Sequence, residues 1–122
     1  MKLLLFFLLM AASALSYGQF NDTRWKGTFN VPDPAECILV FSKDSMNLLS
    51  ENGDVLESMK YRVSGDTIYY VKLFGISPCY YDTEAAYDFR IKENKLFLSA
   101  VKDDCEMRKM AFPEDGLQKI EQ

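Results

Sequence analysis

Arg24-Trp25-Lys26-Gly27-Thr28-Phe29-Asn30-Val31 decides the fold class. Trp25, Gly27, Phe29 and Val31 alternate with Arg24, Lys26, Thr28 and Asn30. A period of two with one wet face and one dry face is the pattern of a half-buried β-strand. Pro32-Asp33-Pro34 ends it, because proline brings no N–H to a ladder.

Downstream the alternation resumes in short runs. Cys37–Phe41 and Ser45–Leu49 are joined by Ser42-Lys43-Asp44, and Glu51-Asn52-Gly53-Asp54 carries the Asn-Gly hairpin signal. Val55–Val63 follows, with Met59, Tyr61 and Val63 on one face and Lys60 and Arg62 on the other, and Ser64-Gly65-Asp66 turns it into Thr67–Phe74. A longer loop, Gly75–Ala85, contains Ser77-Pro78-Cys79 and Tyr80-Tyr81. Ala86–Ile91, Lys95–Val101 and Cys105–Phe112 complete the set, and Pro113–Gln122 reads as a short helix or a frayed tail. Eight short strands with mostly tight connections pair sequentially, and their closure removes exposed sheet edges. The fold expected is therefore all-β, a small eight-stranded antiparallel up-and-down barrel, with an open sandwich as the competing architecture.

Upstream of this domain, Lys2, the apolar run Leu3–Leu9 and the small-residue string Ala11–Gly18 have the form of a secretory signal peptide. The apolar run is too short to span a bilayer, and Ser16 and Gly18 fit cleavage before Gln19. The expected organisation is a leader over residues 1–18 and one domain over residues 19–122. No cysteine lies near the cleavage site to take a lipid, so no membrane anchor is expected, and the domain is expected to be secreted, to a periplasm or to the extracellular space, where disulfides persist.

The 122 residues carry 14 Lys and Arg against 18 Asp and Glu, a net charge of −4 that loss of Lys2 makes more acidic by one. Basic residues are scattered, with no stripe to meet a phosphate backbone, so nucleic acid is not an expected partner, whereas a cationic protein is allowed. With no histidine in the chain, Ser-His and Cys-His nucleophile pairs and the usual zinc and copper ligand sets are excluded. Asp103, Asp104 and Glu106 read as a solvated turn, and neither an enzyme, a cofactor nor a metal site is expected.

Alternating strand direction places Cys37, Cys79 and Cys105 at one rim of the barrel. Three cysteines allow one internal bridge. The hairpin of the sixth and seventh strands brings the residues before Ala86 near those after Val101, which favours Cys79–Cys105 and pins the Gly75–Ala85 loop. Cys37 is left over, as a buried thiol beside Ile38–Phe41 or as an intermolecular partner.

Trp25-Lys26-Gly27 on the first strand, the eight-strand meander and Arg108 on the expected last strand together resemble a small secreted lipocalin-like, calycin-type barrel. The resemblance implies that Trp25 closes the barrel floor and that Arg108 packs across the indole, a cation–π contact. It also implies a small hydrophobic ligand held in the barrel. Phe29, Tyr61, Tyr70, Tyr87 and Phe89 are the candidate lining, with Tyr80 and Tyr81 at the mouth; the competing reading, that such rings fill the narrow eight-stranded interior, ranks ahead of a ligand cavity. The alternative expectation is an interaction or inhibitor module whose mouth loops act on a cationic protein.

Overall fold

The computed structural model describes residues 19–121; the leader reading falls on residues 1–18, outside the described residues. Eight antiparallel strands close into a barrel in sequential order. They are β1 (Thr23–Asn30), β2 (Pro34–Phe41), β3 (Ser45–Ser50), β4 (Val55–Ser64), β5 (Thr67–Gly75), β6 (Ala85–Lys92), β7 (Lys95–Lys102) and β8 (Leu117–Ile120). This up-and-down barrel is compatible with a lipocalin-like fold. Along β1 the alternation holds: Thr23, Trp25 and Phe29 are buried, and Lys26, Thr28 and Asn30 are exposed. β2 begins earlier than its apolar run, at Pro34, which faces Asn30 and sits at the first strand position, where a missing N–H is tolerated.

The eighth strand lies elsewhere than expected. Cys105–Phe112 is not a strand: Glu106–Lys109 forms one helical turn, α1, and β8 is Leu117–Ile120, inside the segment read as a tail. Glu, Met, Arg and Lys are good helix formers with no β-branch among them, and the local preference prevails once Cys105 and Arg108 are held by partners described below. Leu117-Gln118-Lys119-Ile120 shows no alternation to betray a strand, yet it pairs with β1 from Arg24↔Ile120 to Lys26↔Gln118 and with β7 at Lys95↔Gln118 and Leu96↔Leu117. The chain from Met110 to Gly116 fills the remaining gap, with Asn30 donating from its backbone to the Ala111 carbonyl (3.0 Å) and from its side chain to the Met110 carbonyl (3.0 Å).

Gly27 has a steric role in this closure. A Cβ there would sit 2.6 Å from Leu117 Cδ2, so a larger side chain would have to displace the buried Leu117 side chain. Gly27→Val is expected to push β8 away and to cost about 1–3 kcal/mol, read as a lowered denaturation midpoint.

Aromatic rings close the end of the barrel where β1 begins. Phe20 packs against Phe41 (4.7 Å between centroids), Phe89 (4.9 Å) and Trp25 (6.5 Å), and Phe41 meets Tyr61 edge-on at 5.1 Å. Thr23 Oγ1 donates to the Phe20 carbonyl and accepts from Trp25 Nε1 at 2.9 Å, which satisfies the buried indole. The cation over Trp25 is not Arg108, which lies on α1, but Lys119 of β8, whose Nζ is 5.9 Å from the ring centroid. The last strand thus does supply a cation to the floor tryptophan, at a position that the misplaced strand concealed.

Candidate functional site

At the opposite end, where β1, β3, β5 and β7 finish, the barrel holds a cavity of about 400 Å³. Phe29 and Val31 wall one side of it, and Leu39, Leu48 and Met59 on β2, β3 and β4 form its base. Inward-facing aliphatic side chains leave space here that the rings at the floor do not. Two walls come from outside the sheet. The loop over residues 76–84 contributes Ile76, Ser77 and Pro78, and the strap over residues 105–116 contributes Met107, Arg108, Ala111 and Phe112.

A covalent bond joins these two walls. Cys79 and Cys105 form a disulfide with Cα atoms 5.4 Å apart, and Cys105 is the residue that precedes α1. The expected pairing is thus present, but it ties the loop to the strap rather than to a strand. Cys37 is a buried free thiol within β2, and burial, followed by the nearby Glu36 and Glu51 carboxylates, raises its pKa, so it stays protonated.

Behind the strap lies a buried ion pair. Asp103 Oδ2 accepts from Arg108 Nε (2.8 Å) and from the Tyr87 hydroxyl (2.5 Å), and Oδ1 accepts from Arg108 Nη2 (2.7 Å) and from the Cys105 N–H (2.9 Å). Burial alone pushes the Asp103 carboxyl up; the bonds from Arg108, Tyr87 and Cys105 outweigh it, and the pKa falls below the usual value. Burial likewise pulls the Arg108 guanidinium down, and Asp103 more than restores it. The Tyr70 and Tyr87 phenols are both raised, first by burial.

A second buried pair stands at the rim. Lys72 Nζ lies 3.9 Å from Glu57 Oε1 and donates to the Ser77 carbonyl at 2.6 Å, while the Ser77 hydroxyl bonds Glu57 Oε2. These contacts hold the start of the mouth loop over β4 and β5. Alternation of polarity gave no sign of them, because Lys72 and Glu57 lie on different strands and each reads as an ordinary charged residue.

Of the residues expected to line a ligand site, Phe29 faces the cavity. Tyr61 and Phe89 belong to the floor, where the Tyr61 hydroxyl donates to the Ser42 carbonyl at 2.7 Å. Tyr70 and Tyr87 stack at 5.4 Å in the barrel interior, with Arg108 5.2 Å from the Tyr70 centroid and Phe112 against Tyr87 at 5.2 Å. Tyr80 and Tyr81 are 74% and 61% exposed on the mouth loop beside Ile76 at 70%. The aliphatic lining was legible in principle, since Leu39, Leu48 and Met59 occupy inward positions of the same alternating strands.

Among the described residues, no group of His, Cys, Asp and Glu side chains is placed to hold a metal ion, and no helix is long and apolar enough to cross a membrane. The chain matches no protein-family model, no curated protein sequence and no solved structure.

Proposed function

We propose that the protein is a secreted, lipocalin-like binding module that holds a small apolar ligand in the cavity at the barrel mouth. The observation that carries this reading is the cavity itself: about 400 Å³, within the range of small-molecule sites, lined mostly by aliphatic and aromatic side chains with few polar groups. Transfer of an apolar molecule into such a space removes its surface from water, which is the dominant favourable term in such binding. Secretion is supported by the leader-like residues 1–18 and by the disulfide, a bond that persists in oxidising compartments. The lipocalin-like reading rests on the up-and-down closed barrel and on the floor tryptophan with a last-strand cation above it.

A neutral apolar dye such as Nile red tests the site. The protein is expected to bind it with enhanced emission, and Ala111→Trp, which adds an indole from the strap wall, is expected to weaken binding at least about tenfold while the far-ultraviolet spectrum stays that of the parent. Absence of binding by the parent chain, or equal binding by the variant, would reject the cavity as the ligand site. The second reading, docking of a cationic protein on the rim, is favoured by the exposure of Ile76, Tyr80 and Tyr81 beside the exposed Asp82, Glu84, Asp104 and Glu106. That reading gains if the dye fails.

A further inference from the structure

Charge is divided unevenly between the two ends of the barrel. At the mouth the chain crosses from β1 to β2, from β3 to β4 and from β5 to β6, and leaves β7 for the strap. These four connections, the last followed as far as Phe112, hold Asp33, then Glu51 and Asp54, then Asp82 and Glu84, then Asp104 and Glu106, all exposed. Lys109 is their one exposed base, and the buried Asp103 and Arg108 cancel, so seven acids against one base leave −6. Two cations stand close by on the walls: Arg62, which meets Glu84 at 3.1 Å, and Lys102 at the end of β7. Counting both, the mouth still carries −4. The three turns at the floor, with Lys43 against Asp44, Asp66 and Glu93, carry only −2.

Inside the cavity the charges balance. Glu57 is paired with Lys72 and Arg108 with Asp103, so the lining adds no net charge to its apolar surface. Selection by charge therefore acts at the opening. A charged group drawn fully into the apolar space would lose its hydration at high cost, whereas a charged head left at the rim stays in water while its tail is buried. There it meets the summed field of the mouth, and a concave site ringed by one sign of charge concentrates the opposite ion. A cation is attracted and an anion repelled. Tyr80, 74% exposed on the mouth loop, adds a ring face of the kind that attracts ammonium groups.

We propose that the cavity selects cationic amphiphiles, molecules with an aliphatic tail and an ammonium-type head, the tail filling the cavity and the head held in water at the acidic rim. The inference rests on the ligand-binding reading above and specifies its ligand class. The tail lies against Leu39, Leu48 and Met59, and the preference for the head comes from the field of the rim as a whole rather than from one carboxylate.

A matched series separates the two claims. The full domain is titrated calorimetrically with decyltrimethylammonium, decanol and decyl sulfate, each below its micellar concentration. In about 10 mM salt, where charges are screened only beyond about 30 Å, the ammonium is expected to bind about tenfold more tightly than the alcohol, and the sulfate more weakly than either. In about 1 M salt the ammonium-to-alcohol ratio is expected to fall to near one. The triple variant Asp33→Asn, Asp82→Asn and Asp104→Asn removes three exposed charges that form no ion pair among the described residues, and is expected to lower the low-salt ratio about threefold while the alcohol binds as before. Ala111→Trp is expected to weaken all three probes, as it would if their tails share the cavity. Equal affinity for ammonium and alcohol at low salt would overturn the cation preference and leave the apolar site standing, and so would tightest binding of the sulfate. Ammonium binding that Ala111→Trp leaves intact would overturn it as adsorption to the acidic surface. If none of the three binds, the ligand-binding reading fails and the preference fails with it. The parent series decides these outcomes even if the triple variant does not fold.

Discussion

Asp103→Ala is expected to lower stability by about 3–5 kcal/mol, because it leaves the Arg108 guanidinium buried and uncompensated and deprives the Tyr87 hydroxyl and the Cys105 N–H of their acceptor. For a domain of this size each kcal/mol corresponds to a fall of roughly 4–8 °C in the melting midpoint, so thermal denaturation should register the change clearly. The paired replacement Asp103→Leu with Arg108→Met is expected to be less destabilised than Asp103→Ala, since it removes both charges and keeps apolar volume. A smaller loss in the single variant than in the pair would show that the ion pair is not what holds the strap. The pH dependence has a defined sign. Asp103 ionises below the ordinary carboxylate value, so its contribution is complete above about pH 4 and is lost as the pH falls through the folded-state value. Asp103→Ala should lack this component of acid destabilisation.

Replacing both Cys79 and Cys105 with serine is expected to cost about 3.5 kcal/mol in the chain-entropy account, given their separation of 26 residues. Ligand affinity should suffer before the fold does, because the bond joins two cavity walls that lie outside the sheet, whereas the strands keep their own ladders. Titration with reductant, followed in parallel by dye binding and by far-ultraviolet circular dichroism, distinguishes the two losses. Simultaneous loss of both signals would mean that the disulfide holds the barrel rather than its mouth.

Seven of the eight strands were legible, β1 and β4 from their alternation of wet and dry positions and the others as short apolar runs bounded by turn residues. The Cys79–Cys105 pairing was legible for a related reason: in a meander, direction follows from counting. Where the argument failed, the failure was local. β8 has only four residues, one buried at Leu117, and the helix-favouring run of α1 is only four residues long, held by the Asp103–Arg108 pair and the Cys79–Cys105 bond. Counting eight strands was therefore correct while the eighth was misplaced, and Arg108 was carried with it from the wall of the cavity to the floor.

The candidate lining illustrates a different difficulty. Large rings attract attention in a sequence, but in a narrow barrel they are what fills it. Tyr70, Tyr87 and Phe112 occupy the interior beside β5 and β6, and Phe20, Phe41 and Phe89 occupy the floor, so the space remains where Leu39, Leu48 and Met59 stand. Burial of Lys72 and Glu57 had no signal in the alternation at all, because their pairing depends on the register of β4 with β5 and on the path of the loop that follows.

The short final strand also bears on the edges of the sheet. Arg24 faces Ile120, so the ring is shut by residues far apart in the sequence, whereas each hairpin joins near neighbours. Without β8 the meander would be an open sheet whose β1 and β7 flanks present unpaired N–H and C=O groups, a template for strand addition. A segment of four residues, with Leu117 packed beside Gly27, thus covers both flanks of an otherwise open sheet.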